Sequence, residues 1–124
     1  MYLVEFDRSQ RLLKITVGGD TTVEEISSAL EDLRSVLKEI RPGFRLLADL
    51  SALVSMPTSA APYLGEVMES CAEKGVTLVV RLLPKEPSKD IGLAIISKFH
   101  YPPDVLIVTC ATMEEAMRLL EEKN

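Results

Sequence analysis

Phe44-Arg45-Leu46-Leu47-Ala48-Asp49-Leu50 is a short, nearly all-apolar run that follows Pro42-Gly43 and leads into a stretch without charge. A strand with one wet face alternates polar and apolar residues, so a continuous run of this length reads as a strand covered on both faces. Two similar runs lie further on, Val76 to Leu83 and Val105 to Cys110. Amphipathic stretches separate them. Leu64, Val67, Met68 and Cys71 keep helical spacing up to Gly75, a natural helix C-cap. Ile91 to Tyr101 reads as the next helix, bounded by Pro84, Pro87 and Pro102-Pro103. Thr112 with Glu115 caps a closing helix whose apolar stripe is Met113, Ala116, Met117 and Leu120.

Towards the N-terminus the pattern changes. Tyr2 to Asp7 and Leu12 to Val17 are short β-forming runs joined by Arg8-Ser9-Gln10-Arg11, which reads as a hairpin. Gly18-Gly19-Asp20 stops the second strand, and Thr21 or Thr22 with Glu24 or Glu25 three residues on signals a helix start. Val23, Ile26, Leu30, Leu33, Leu37 and Ile40 put one apolar face on that helix, and Arg41-Pro42-Gly43 ends it. The order ββαβαβαβα predicts an α/β fold with right-handed crossovers. The expected sheet has about five strands, mostly parallel, with the hairpin at one edge and four helices. Ile15, Val17, Leu33, Leu46, Ala48, Leu78, Val80 and Ile107 are the expected core. No linker, repeat or low-complexity tract interrupts the chain, so residues 1–124 read as a single domain.

Composition narrows the function. Of 124 residues 47% are hydrophobic and 27% charged, enough to bury a core without disulfides or a metal. The net charge of −5, with basic residues dispersed, repels phosphate backbones, and nucleic-acid binding is not expected. No run approaches the roughly 20 apolar residues of a spanning helix, and the start carries no basic leader. A cytoplasmic protein is expected. Cys71, Cys110 and the single His100 share no ligand spacing, so no metal site can be written and both thiols read as buried.

In an open parallel sheet ligands gather outside the carboxyl ends of the strands, here Asp49 to Ser59, Leu83 to Lys85 and Thr109 to Thr112. These segments are polar but hold no nucleophile beside a base, since His100 stands at a helix end away from them. No catalytic residue, cofactor fingerprint or enzyme activity is expected. Gly18-Gly19 lacks a nucleotide-loop spacing, and Glu24-Glu25, Glu114-Glu115 and Glu121-Glu122 read as helix-start and solvated charges.

The segment from Ala48 to Pro62, Ala-Asp-Leu-Ser-Ala-Leu-Val-Ser-Met-Pro-Thr-Ser-Ala-Ala-Pro, carries a resemblance. With the order of elements, its Asp49-Leu50-Ser51 resembles the strand end of the STAS domains of bacterial anti-sigma factor antagonists and, more loosely, the lipid-carrying Sec14 relatives. The resemblance implies a STAS-like (SpoIIAA-like) fold and a regulatory, protein-binding role. In the antagonists an Asp-Ser-Ser-Gly tetrad opens the next helix, and its first serine is phosphorylated by a kinase partner. Laid on this chain, Asp49 and Ser51 support the loop, and Thr58 and Ser59 fall on the two serines as candidate phospho-acceptors or anion loop. Pro57 replaces the acid, Ala60 the glycine and Thr58 the acceptor serine, so Thr58 is expected to be a poor kinase substrate. The commoner role for such hydroxyls is to cap the helix N-terminus.

Met56, Thr58, Ser59 and Tyr63 form a candidate contact surface, because no charge occurs from Ala52 to Gly65 and charge depletion with an aromatic and a methionine marks interface centres. Met68, Met113 and Met117 read as core, as does the cluster Phe99, His100 and Tyr101. Lys85, Lys89 and Lys98 read as solubilising charges. The leading expectation is a non-enzymatic module that binds another protein, or itself as a homodimer, through the loop between its third strand and second helix. The rival is a binder or sensor of a small apolar or amphipathic ligand, to which Ala60, Ala61 and Gly65 point.

Overall fold

The computed structural model describes residues 1–122. Strands β1 (Tyr2–Asp7) and β2 (Leu12–Val17) form the antiparallel hairpin, with Tyr2 opposite Val17 and Asp7 opposite Leu12. A two-residue strand β3 (Gly19–Asp20) precedes helix α1 (Val23–Leu37). Its capping box is complete: the Glu25 N–H donates to Thr22 Oγ1 at 3.1 Å and the Thr22 N–H to Glu25 Oε1 at 3.1 Å. Then come β4 (Arg45–Asp49), β5 (Leu53–Ser55), a 3₁₀ turn (Thr58–Ala60) and α2 (Ala61–Lys74). β6 (Leu78–Leu82), a second 3₁₀ turn (Pro87–Asp90), α3 (Ile91–His100), β7 (Leu106–Cys110) and α4 (Met113–Glu122) complete the chain.

The main sheet runs β1-β2-β4-β6-β7, parallel from β2 onward. The expected α/β architecture holds: four helices around a mostly parallel five-stranded sheet. On one face, Leu33 and Leu37 of α1, Met68 and Cys71 of α2 and Tyr101 just after α3 close over Leu13, Leu46 and Val79. On the other, Ala116 and Leu120 of α4 cover Leu12, Leu47, Leu78, Val80 and Leu82. The buried Arg45 guanidinium donates to the carbonyls of Leu120 and Gln10, so this polar side chain ties the hairpin to the closing helix.

Three expectations need correction. Gly18-Gly19-Asp20 does more than stop a strand, because Gly19–Asp20 pairs in parallel with Leu53–Ser55 of the loop after β4. The Gly19 N–H donates to the Ala52 carbonyl and the Thr21 N–H to the Ser55 carbonyl, both at 2.8 Å. Pairing of such short segments leaves no periodicity to read in the sequence. Val17, Leu33, Leu46, Leu78 and Val80 are buried, but Ile15, Ala48 and Ile107 are only half-buried. Ile15 and Ala48 line a small space beneath α2 and α3, and Ile107 lies on the edge strand. Met113, expected in the core, is exposed at the start of α4.

Candidate functional site

The loop leaving β4 is braced from its first residue. Asp49 is buried, and its Oδ1 accepts from the Ser51 N–H at 3.0 Å and from Ser51 Oγ at 2.6 Å, closing a local turn of the kind a short acid makes at a strand end. Beyond it, β5 is tied to β3, and Ser55 Oγ donates to Asp20 Oδ1 at 2.6 Å. The chain is thereby held against the sheet end as far as Met56. Leu53 and Ala60 are buried while Val54 is 56% exposed, so the uncharged stretch neither folds wholly inward nor lies wholly open.

Thr58 and Ser59 are exposed. Neither caps α2, contrary to the expectation from their place before it: the cap residue is Ala60, and it makes no side-chain bond. The 3₁₀ turn runs directly into the helix, and backbone takes over the work: the Ala60 N–H donates to the Pro57 carbonyl at 3.0 Å and the Ala61 N–H to that of Thr58. Met56 and Tyr63 are half-buried and pack against a core cluster of Val17, Ile26, Leu50, Leu53, Ala60 and Leu93. Of the four residues expected on the contact face, two are open to solvent and two are partly committed to packing.

Across from this loop stands α3. Its inner side carries Leu93 and Ser97, both buried, with Ser97 Oγ donating to the Leu93 carbonyl at 2.9 Å. Its outer side carries Ile91, Ile95 and Phe99, exposed by 64%, 51% and 81%. Residues four apart share a helix face, so these three make one apolar stripe about 12 Å long at 1.5 Å rise per residue. Sequence reasoning passed over this stripe. The signal was there, since Ile91, Ile95 and Phe99 repeat at four beside a second apolar set, Leu93 and Ile96, more than one buried face requires.

Two contacts fix how α3 sits. Arg81 on β6 and Asp90 just before α3 form a buried bidentate pair, in which Nη1 donates to Asp90 Oδ2 at 3.2 Å and Nη2 to Oδ1, with Thr109 Oγ1 at 3.4 Å from Nη1. The Asp90 carboxylate is thus spent on the sheet and leaves the helix N-terminus uncapped. At the other end, the His100 ring lies over Gly65 of α2, where a Cβ would come within 2.7 Å of His100 Cε1, and its Nδ1 is 3.0 Å from Glu69 Oε1. Gly65, expected to line a pocket, instead lets two helices approach. Tyr101 is buried as expected, but Phe99 is not.

Between the loop and α3 runs a groove of about 370 Å³ lined by Leu53, Met56, Ala61, Leu64, Ile95 and Ile96, with Lys89 at its edge. The loop after β4 and the segment after β6 therefore meet, outside the carboxyl ends of their strands. The segment after β7 does not line it. Lys85, Lys89 and Lys98 are exposed around this region and are in no ion pair among the described residues. The two thiols are inert in character, with burial pushing Cys71 up to about 12 and Cys110 also up. Among the described residues no cluster of His, Cys, Asp or Glu is arranged to hold a metal ion, and no helix is long and apolar enough to cross a membrane.

The fold recurs in solved structures. A protein of the DUF3478 family from Shewanella loihica, described as having a SpoIIAA-like fold, superposes with a TM-score of 0.70 at 17% identity, over 97% of this chain and 92% of its own. This chain has the SpoIIAA-like fold. The anti-sigma factor antagonist SpoIIAA in its unphosphorylated form gives 0.67 at 12% identity over 98% of both chains. An anti-sigma factor antagonist from Mycobacterium paratuberculosis gives 0.62 at 18% identity over 98% and 93%. No protein-family model and no curated protein matches the sequence. The loop after β4 and the start of α2 lie at one end of the sheet, and α3 runs past them with Ile95 beside the loop.

Proposed function

We propose that this chain is a non-enzymatic regulatory module that captures another protein, using the exposed residues Thr58 and Ser59 of the loop after β4 together with the outer face of α3. The observation that carries the reading is the stripe of Ile91, Ile95 and Phe99: three large apolar side chains, each more than half exposed, beside a loop without charge. An apolar centre of this kind on a protein surface marks a contact site. The likeness in fold to anti-sigma factor antagonists agrees with a regulatory role. Two free, buried thiols agree with a reducing, cytoplasmic setting.

Charge selects the kind of partner. In a chain of net charge −5, Lys89 lines the groove with Ile95 and Lys98 adjoins Phe99 on α3, which puts two cations beside the stripe. A twofold contact between identical copies would set this basic patch against itself, since both subunits use the same surface. A different protein with an apolar centre and acidic rim fits better than a second copy. Replacing Ile95 and Phe99 together by Asp should leave the thermal midpoint unchanged, because neither is buried, and weaken partner binding at least about tenfold by titration calorimetry. A midpoint several degrees lower, or an unchanged affinity, contradicts the assignment.

Thr58 is accessible as a contact residue, but Pro57 stands before it. Incubated with a serine kinase that modifies antagonist proteins, the chain should gain little phosphate at Thr58 by mass analysis. Stoichiometric modification would make phosphorylation of this loop the control of partner binding.

A further inference from the structure

We infer that the outer edge of β7 pairs with β7 of a second copy, antiparallel about a twofold axis at Val108, joining two five-stranded sheets into one. This surface is separate from the loop and α3 stripe proposed for partner capture, and the inference does not rest on that reading.

β7 ends the sheet, with β6 on one side and no strand on the other among the described residues. The Leu106 N–H donates to the Thr77 carbonyl and the Cys110 carbonyl accepts from the Leu83 N–H, so Leu106, Val108 and Cys110 turn their main chain towards β6. In a parallel ladder alternate residues face opposite edges, which leaves the N–H and C=O of Ile107 and Thr109 pointing outward. Such an edge accepts another strand unless charge, proline or a bulge blocks it. The opposite edge of the sheet is blocked, because β1 carries Glu5 and Asp7, both exposed. β7 is not: neither charge nor proline occurs from Val105 to Met113, and its register with β6 is unbroken.

The same stretch selects a second copy as the occupant. With Val108 opposite Val108, all five residues of β7 overlap, and Ile107 exchanges both main-chain hydrogen bonds with Thr109 of the second copy, twice over by symmetry. An uncharged strand sets no like charges face to face, as the basic patch beside α3 would. Leu106 starts β7 on the face that α4 covers, and Met113 opens α4 just past the end of the strand. They are exposed by 48% and 38%. Antiparallel pairing brings Leu106 of each copy to the end where α4 of the other starts, so the two apolar side chains come together. A strand from an unrelated protein supplies no such match.

The contact is small, so the dimer should be weak, with a Kd of roughly 10–100 μM. Sedimentation equilibrium of the full chain reads the monomer–dimer balance, and amide exchange locates the contact. Raising the concentration from below that Kd to well above it should slow exchange at Ile107 and Thr109 at least about fivefold, and at Leu106 and Val108, already bonded to β6, much less. Val108→Lys and Val108→Glu should each abolish the dimer, since the axis sets the new charge against itself, and an equal mixture of the two should restore it. Ile95→Asp with Phe99→Asp should leave the dimer intact. The exchange measurement uses the unaltered chain and so decides even where a variant loses its fold. A chain monomeric throughout, a dimer without protection at Ile107 and Thr109, a mixture of folded Val108 variants that stays monomeric, or loss of the dimer in the α3 variant overturns the inference.

Discussion

Asp90→Ala lowers the stability of the folded chain by about 3–5 kcal/mol in urea denaturation, the cost of leaving one member of a buried ion pair alone. Arg81 is 5% exposed and its guanidinium spends two nitrogens on the Asp90 carboxylate. Without Asp90 the remaining near neighbour of that charge is the Thr109 hydroxyl, a weaker acceptor. The double variant Arg81→Met, Asp90→Leu should recover most of the loss, because apolar side chains of similar size can replace a buried pair at little net cost. The pair joins β6 to the start of α3, so the single variant should also loosen α3, seen as faster amide exchange from Gly92 to Ser97 than in α1. A loss below about 1 kcal/mol would mean that water reaches Arg81 and that the pair does not hold α3 in place.

Gly75→Ala should cost about 2–4 kcal/mol, more than an alanine usually costs anywhere on a surface. Gly75 ends α2 at φ +99°, a left-handed conformation that a side chain opposes. A Cβ there would also stand 2.8 Å from Pro42 Cβ and 3.1 Å from Pro42 Cα, and the proline ring cannot turn away. The same residue accepts from the Gly43 N–H at 2.8 Å, so the end of α2 and the approach to β4 are joined at this point. Thermal unfolding of the variant checks the figure; a midpoint within about a degree of the parent would show that the turn relaxes freely.

The elements that could be read from sequence are those whose signal is local. Leu46 and Leu47, or Val79 and Val80, are adjacent apolar residues on opposite faces of a strand, and such pairs demand helices on both sides. Thr22 with Glu25 states its own capping box. What could not be read depends on contacts far along the chain. Leu53–Ser55 becomes a strand only because Gly19–Asp20, more than thirty residues earlier, lies beside it. Ile91 to His100 carries apolar residues on two sides, and which side meets the sheet is decided by Arg81 holding Asp90 and by Gly65 admitting His100. Thr58 and Ser59 have the composition of helix caps, yet a 3₁₀ turn places backbone carbonyls where their hydroxyls would act. Tyr63 illustrates the same limit, because its uncharged surroundings suggest a contact surface while the fold turns half of it into the core.

The most direct test of the docking surface is photo-crosslinking in the cells the chain comes from, with a benzophenone amino acid placed in turn at Thr58, Phe99, Glu31 and Glu121. All four positions are exposed, the first two on the loop and outer α3 face and the last two on α1 and α4. One and the same protein adduct at Thr58 and Phe99, absent at Glu31 and Glu121 and lost when Lys89 and Lys98 are both changed to Glu, is the predicted result. Adducts at Glu31 or Glu121 with none at Phe99 and Thr58 would contradict it.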